Sequence, residues 1–142
     1  MNISTAEKLS GLSAKTIRDY EQAGLIHPQR QSNGYRTYND EDIATLCFIR
    51  HAREVDFSLA QIAELLALRD NPHRASYDVK TLVGEHLNKL TEKINYLNSM
   101  KNTLEQWYNQ CDGNEKSECA IINGLNRHDN QHLAKQHKHH NS

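Results

Sequence analysis

The chain has 142 residues, enough for one domain or one small domain with an extension, and only 37% are hydrophobic and 6% aromatic. A core that lean favours a second chain to help bury apolar surface. Seventeen basic residues against eighteen acidic ones leave a net charge of −1, so no broad basic field advertises nucleic acid, and no apolar run approaches the ~20 residues of a membrane span.

Residues 1–70 read as several short helices with one small β element. In STAEKLSGL, Ser4 and Glu7 stand at capping-box spacing and Gly11 ends the helix. A second helix starts at Ser13, carries Ile17, Tyr20 and Ala23 on one face, and stops at Gly24. Two short helices around a tight turn, the second of them basic, form a helix-turn-helix pattern. In IHPQRQSNGYRTYN, Asn33-Gly34 is a hairpin-turn dipeptide flanked by residues that favour extended backbone, which predicts a wing. Asn39 caps a third helix whose first turn is acidic, and Ser58 caps a fourth with a stripe of Leu59, Ile62, Leu65 and Leu66. Cys47, in LCFIR, reads as a small buried hydrophobe.

Asp78 opens a long helix that runs to about Asn109 within the segment 76–109. Val83, Leu87, Leu90, Ile94, Leu97, Leu104 and Tyr108 alternate spacings of three and four, a heptad seam broken at Lys101 beside Met100. A helix of ~45 Å with a polar back cannot bury that stripe on a small head alone, so a helix dimer is expected. His73 and His86 are expected on the surface. Residues 110–125 are read as a loop and a short helix, with Cys111 and Cys119 separated by seven residues. Residues 126–142 form a polar tail, expected to be disordered, with five histidines at 128, 132, 137, 139 and 140 that could hold Cu(II), Zn(II) or Ni(II) weakly.

The order of these parts resembles the MerR family of transcriptional regulators, and within it the copper-efflux branch. The segments SGLSAKTIRDYEQAGLI and NGYRTYNDEDIATLCFIRHAREVDFSLAQIAEL carry the likeness, which covers about residues 1–125. It implies a mainly α fold: a winged helix-turn-helix head, a two-helix connector, a long antiparallel coiled-coil dimerisation helix and a C-terminal metal-binding loop. It also implies a homodimer on double-stranded promoter DNA that acts on RNA polymerase by distorting the promoter.

On that frame, Lys15, Thr16, Arg18 and Tyr20 lie on the recognition helix, where phosphates or base edges are in reach. Tyr35 and Arg36 lie on the wing, suited to flanking backbone. Tyr38 is expected to pack the wing onto the head.

The N-terminus lacks a signal-peptide layout, so the chain is expected in the cytoplasm, off the membrane, where thiols stay reduced. Zn²⁺ usually takes four ligands, whereas two thiolates satisfy a soft monocation: Cu(I), or equally Ag(I) or Au(I). Gly113 gives the loop freedom to fold back. The resemblance adds a selectivity residue. Relatives that sense divalent ions carry a cysteine at the start of the long helix, where this chain has Ser76. The expected function is therefore copper-responsive activation of efflux and detoxification genes. A thiol redox sensor and a copper-buffering protein are the alternatives. No nucleophile with a sequence partner, phosphate loop or hydrolase motif appears, so no enzyme is expected.

Overall fold

The computed structural model describes residues 1–115, 117 and 119–128. The order of elements is α1 (Ile3–Ser10), α2 (Ala14–Gln22), β1 (Gln29–Arg30), β2 (Arg36–Thr37), α3 (Asp40–Glu54), α4 (Leu59–Asp70), α5 (Ser76–Gln110) and α6 (Ala120–Leu125). The chain divides into two compact units, Met1–Val79 and a second that begins at Lys80.

In the first unit, helix boundaries follow capping chemistry, with one departure from expectation. α1 is capped by Asn2, whose side chain accepts from the Thr5 N–H, and not by the expected Ser4–Glu7 box. Glu7 instead reaches forward: its carboxylate accepts from the Ala14 N–H at 3.1 Å, at the electropositive start of α2. An acidic side chain there ties the two helices across their turn, which Gly11 makes possible at φ 76°. Ser13 caps α2 and Asn39 caps α3, the latter through a reciprocal box with Asp42. Ser58 and Gln61 form a second box at α4.

The wing is the antiparallel pair β1–β2, with Gln29 opposite Thr37 and Arg30 opposite Arg36. Its turn places Gly34 at φ 87°, a region open to glycine. Below the wing, Tyr38 is sealed at 1% exposure, and backbone bonds join it to Met1 in both directions at 2.8 and 2.9 Å. Burial, with Glu21 close by, pushes the Tyr38 phenol above its usual pKa. The core is completed by Ile17, Ile26, Leu46, Ile49 and Phe57 with Ile62, Leu65 and Leu66 of α4. Leu59 of the expected stripe lies outside the core, at 39% exposure. Arg69 of α4 closes on α3, donating to Thr45 Oγ1 at 3.1 Å with its guanidinium 5.3 Å above the Phe48 ring.

Helix α5 has 35 residues, starting two residues before the expected Asp78. His86 corrects the surface expectation: it is buried, because it stands one turn beyond buried Leu82 on the same helical face. The heptad positions are on another face. Leu87, Ile94, Leu97, Leu104 and Tyr108 are each more than half exposed, from 56% to 73%, an apolar seam that no described residue covers. No helix among the described residues is long and apolar enough to cross a membrane. The AIINGL segment forms α6, a short helix. The tail from residue 129 onward, with its four histidines, lies outside the described residues; His128 is exposed.

Candidate functional site

Two separate sets of side chains carry chemistry, one in each unit. In the first, Arg18 on α2 and Tyr35 and Arg36 on the wing line one open depression of about 600 Å³ together with Met1–Ser4 and Gln31. Arg18 is exposed and Tyr35 is 73% exposed, as a surface that meets a polyanion requires. Arg36 is half-buried, because its Nε donates to both carboxylate oxygens of Glu21 at 2.9 and 2.5 Å. Arg30 stands 3.9 Å from the same carboxylate. Glu21 thus ties the wing to the end of α2. No local pattern announces that pair, since the partners are 15 residues apart and on different elements.

The other expected contacts on α2 divide. Lys15 is solvent-exposed and pairs with Asp19 at 3.2 Å, an exposed pair of little energetic weight. Thr16 is engaged at the helix start: its N–H donates to Ser13 Oγ and its hydroxyl accepts from the same atom. Tyr20 is a correction. It is only 8% exposed and belongs to the core face with Ile17, three residues before it, so the ring packs the head and does not face a groove.

In the second unit, Cys111 directly follows α5 and Cys119 stands at the N-terminus of α6. Their Sγ atoms are 3.1 Å apart, both half-buried and both free thiols. Gly113 takes φ 63° in the loop between them. The Cys119 thiol lies below its usual pKa, chiefly through the Ile122 N–H, then through Cys111 and the Ile121 N–H. Those amides do not close a cap hydrogen bond of good geometry. Their effect is the longer-ranged pull of an open helix start on a thiolate. Among the described residues no group of three or more His, Cys, Asp or Glu side chains gathers to hold an ion. Among the described residues the two sulfurs form a pair without a third such ligand.

Cys47 is half-buried and directs its S–H to the Leu9 carbonyl at 3.7 Å, a packing role at the α1–α3 contact. Ser76 is the exposed first residue of α5.

A regulator of DNA is the class this head defines, and comparison with known proteins makes it specific. Residues 1–68 match the model of the MerR HTH family of regulatory proteins, and residues 43–107 match the MerR DNA-binding model. A probable heavy metal-dependent transcriptional regulator of Haemophilus influenzae is 53% identical over 127 residues, covering 89% of this chain and 99% of its own. The regulator CueR of Escherichia coli O6:H1 is 41% identical over 126 residues, covering 88% of this chain and 93% of its own. Among solved structures, PbrR691 from Ralstonia metallidurans CH34, in complex with lead(II), superposes with a TM-score of 0.78 at 33% identity, over 88% of this chain and 98% of that one. The chain belongs to the MerR family of helix-turn-helix transcriptional regulators, which bind DNA and are not enzymes.

Proposed function

We propose that this chain is a Cu(I)-responsive activator that binds promoter DNA as a homodimer and controls copper efflux and detoxification genes. The observation that carries this is the Cys111–Cys119 pair, with sulfurs at 3.1 Å and no third His, Cys, Asp or Glu gathered beside them among the described residues. Two thiolates are too few for Zn²⁺ and enough for a soft d¹⁰ monocation, so Cu(I), Ag(I) and Au(I) all suit the site. The lowered Cys119 pKa favours the thiolate that such an ion takes. Relatives named for heavy-metal dependence support a metal as the signal.

The homodimer is supported by the uncovered seam on α5 from Val83 to Tyr108. A second copy of α5 is the surface of matching length and period. Helix α5, at 35 residues, measures about 52 Å. Ser76 opens it and Cys111 follows its end, so an antiparallel partner brings the Ser76 position of one copy toward the cysteine loop of the other. A serine there adds no thiolate, which keeps the site at two sulfurs.

Arg18, Tyr35 and Arg36 hold operator DNA, with Lys15 and Thr16 beside them at the start of α2. Metal acts by favouring the conformation that distorts the promoter, which realigns the elements that RNA polymerase reads. The test is in-vitro transcription from the chain's own promoter region under reducing conditions, with buffered Cu(I), Zn(II) and Hg(II) in separate reactions. Activation by Cu(I) alone is expected. Activation by Zn(II) or Hg(II) would mean that a further ligand completes the site and would sink the two-thiolate reading.

One second reading has an observation of its own. Sulfurs this close also suit a reversible disulfide, in which mild oxidation, and not metal, is the signal. An oxidised, metal-free arm of the same assay separates the two.

A further inference from the structure

Trp107 is the chain's single tryptophan and stands one helical turn before Cys111, whose N–H donates to the Trp107 carbonyl at 3.1 Å. Its indole is half-buried and lies against α6 at Gly124, five residues beyond Cys119. A Cβ added to Gly124 would fall 2.7 Å from indole Nε1 and 2.8 Å from Cδ2, and nearer still to Cε2. Real side chains do not approach so closely, and an indole ring cannot yield like the end of a flexible chain. Gly24, Gly34, Gly84 and Gly113 show nothing comparable, since an added Cβ there meets no atom within 4 Å. Gly124 also sits inside a helix, where glycine is a poorer choice than alanine. The ring leaves no room for a side chain at that position.

The contact lies beside the thiol pair on both sides: Trp107 precedes Cys111 by one turn, and Gly124 follows Cys119 within α6. Between the cysteines, Asp112–Glu115 are exposed and Gly113 adopts φ 63°. The sulfurs stand at 3.1 Å. We propose that Trp107 and Gly124 form a seat for α6 that positions Cys119 opposite Cys111, which makes both of them positioning residues for the thiolate pair. This rests on the reading of that pair as the sensor site and names what holds it ready. A pair set in place beforehand loses less ordering freedom when an ion arrives, so the seat raises affinity. It also feels the ion. An ion taken between two sulfurs that stand 3.1 Å apart resets their separation to suit its own bonds. Loading therefore shifts α6 across the indole.

Gly124→Ala separates a seat from a merely helical role, because alanine is the better helix former and improves α6 if propensity is all that matters. Two readouts are taken on the full-length dimer. The first is Cu(I) affinity by competition with a chromophoric chelator. The second is the rate of Cys111–Cys119 disulfide closure by diamide in metal-free protein, in which two S–H bonds are lost, one S–S bond forms and diamide takes up both hydrogens. Gly124→Ala is expected to lower Cu(I) affinity about tenfold and to slow closure several-fold. Operator binding and helix content stay unchanged. The loss should vanish in a Trp107→Ala background, where the added methyl meets no ring, while Trp107→Phe alone keeps most of the affinity. Added Ag(I) should change Trp107 fluorescence in the wild type.

Closure and affinity both at wild-type level in Gly124→Ala would overturn the seat. So would an equal loss in the Trp107→Ala background. Failure of the wild type to bind Cu(I) at all would remove the sensor reading, while the closure rates still decide the seat.

Discussion

Both carboxylate oxygens of Glu21 accept from the Arg36 Nε, at 2.9 and 2.5 Å, which joins the last turn of α2 to the second strand of the wing. The two side chains are 18% and 28% exposed, sheltered enough for a charge-assisted bond to set a side-chain position. Bulk electrostatics and preorganisation then make opposite predictions for Glu21→Ala. Removing a carboxylate near the proposed DNA surface should tighten DNA binding if only net charge counts. Preorganisation predicts the reverse, since Arg36 loses its anchor and the wing its tie. We expect operator affinity to fall roughly three- to tenfold, measured by fluorescence anisotropy at fixed salt. Tighter binding would show that the pair restrains Arg36 instead of aiming it.

Arg18 is the exposed cation on α2 that shares a depression with Tyr35 and Arg36. Arg18→Ala should weaken operator binding by about tenfold or more, since a positioned arginine contributes roughly 1–3 kcal/mol at a base edge. The salt dependence tells which partner it has. A phosphate contact lowers the slope of log affinity against log salt by about one, whereas a base contact relaxes sequence preference at one operator position. Unchanged affinity would place the contact elsewhere.

Much of the head was legible in the sequence because its signals are local. Ser13, Asn39 and Ser58 each cap the helix that their spacing predicts, and Asn33-Gly34 turns the wing. Errors came where a residue's partner is distant in sequence or lies on an unexpected face. Glu7 suited a local box but serves the next helix at Ala14. Tyr20 suited a groove but shares its face with Ile17. His86 looked polar and exposed, yet its spacing from Leu82 buries it. At the thiol loop, the two cysteines were plain in the sequence. The Trp107–Gly124 contact was not, although a lone tryptophan one turn before a cysteine and a glycine inside a short helix were both available as signals.

Cys119 should react as a thiolate at lower pH than an ordinary cysteine. Its pKa is held below the usual 9.0 by the Ile122 and Ile121 amides and by Cys111. A depressed acid favours its charged form, so the folded state gains from this thiolate above the unfolded pKa. That gain is lost as pH falls through the lower, folded value. Alkylation of Cys119 by iodoacetamide, followed by peptide mass spectrometry from pH 6 to 10, should show its midpoint below that of the same cysteine in urea. Coincident midpoints would mean that the start of α6 does not act on the sulfur.

Cys111→Ser and Cys119→Ser should uncouple metal from transcription without harming the head. Neither cysteine lies in the unit that holds Arg18, Tyr35 and Arg36, so independent effects are the default. Operator affinity should stay within about threefold of wild type, while Cu(I)-dependent transcription disappears in each variant. Loss of DNA binding in either would make the loop a structural element. Retained activation would remove both thiols from the sensor.

Ser76→Cys tests what keeps the ion choice narrow. Ser76 is exposed at the first turn of α5, so a thiol fits there without repacking a core. In the proposed antiparallel dimer it approaches the partner's cysteine loop and raises the sulfur count from two to three. Three thiolates suit a dication far better than two, because the added negative charge and the extra bond both favour a divalent ion. The variant should gain Zn(II) or Hg(II) affinity by at least about tenfold, with transcription answering those ions as well as Cu(I). Metal competition at equal dimer concentration measures the first effect and run-off transcription the second. A gain in binding without a gain in transcription would mean that the third sulfur captures the ion without driving the activating conformation. An unchanged ion profile would show that Ser76 does not set selectivity and would remove the support it lends to the antiparallel arrangement.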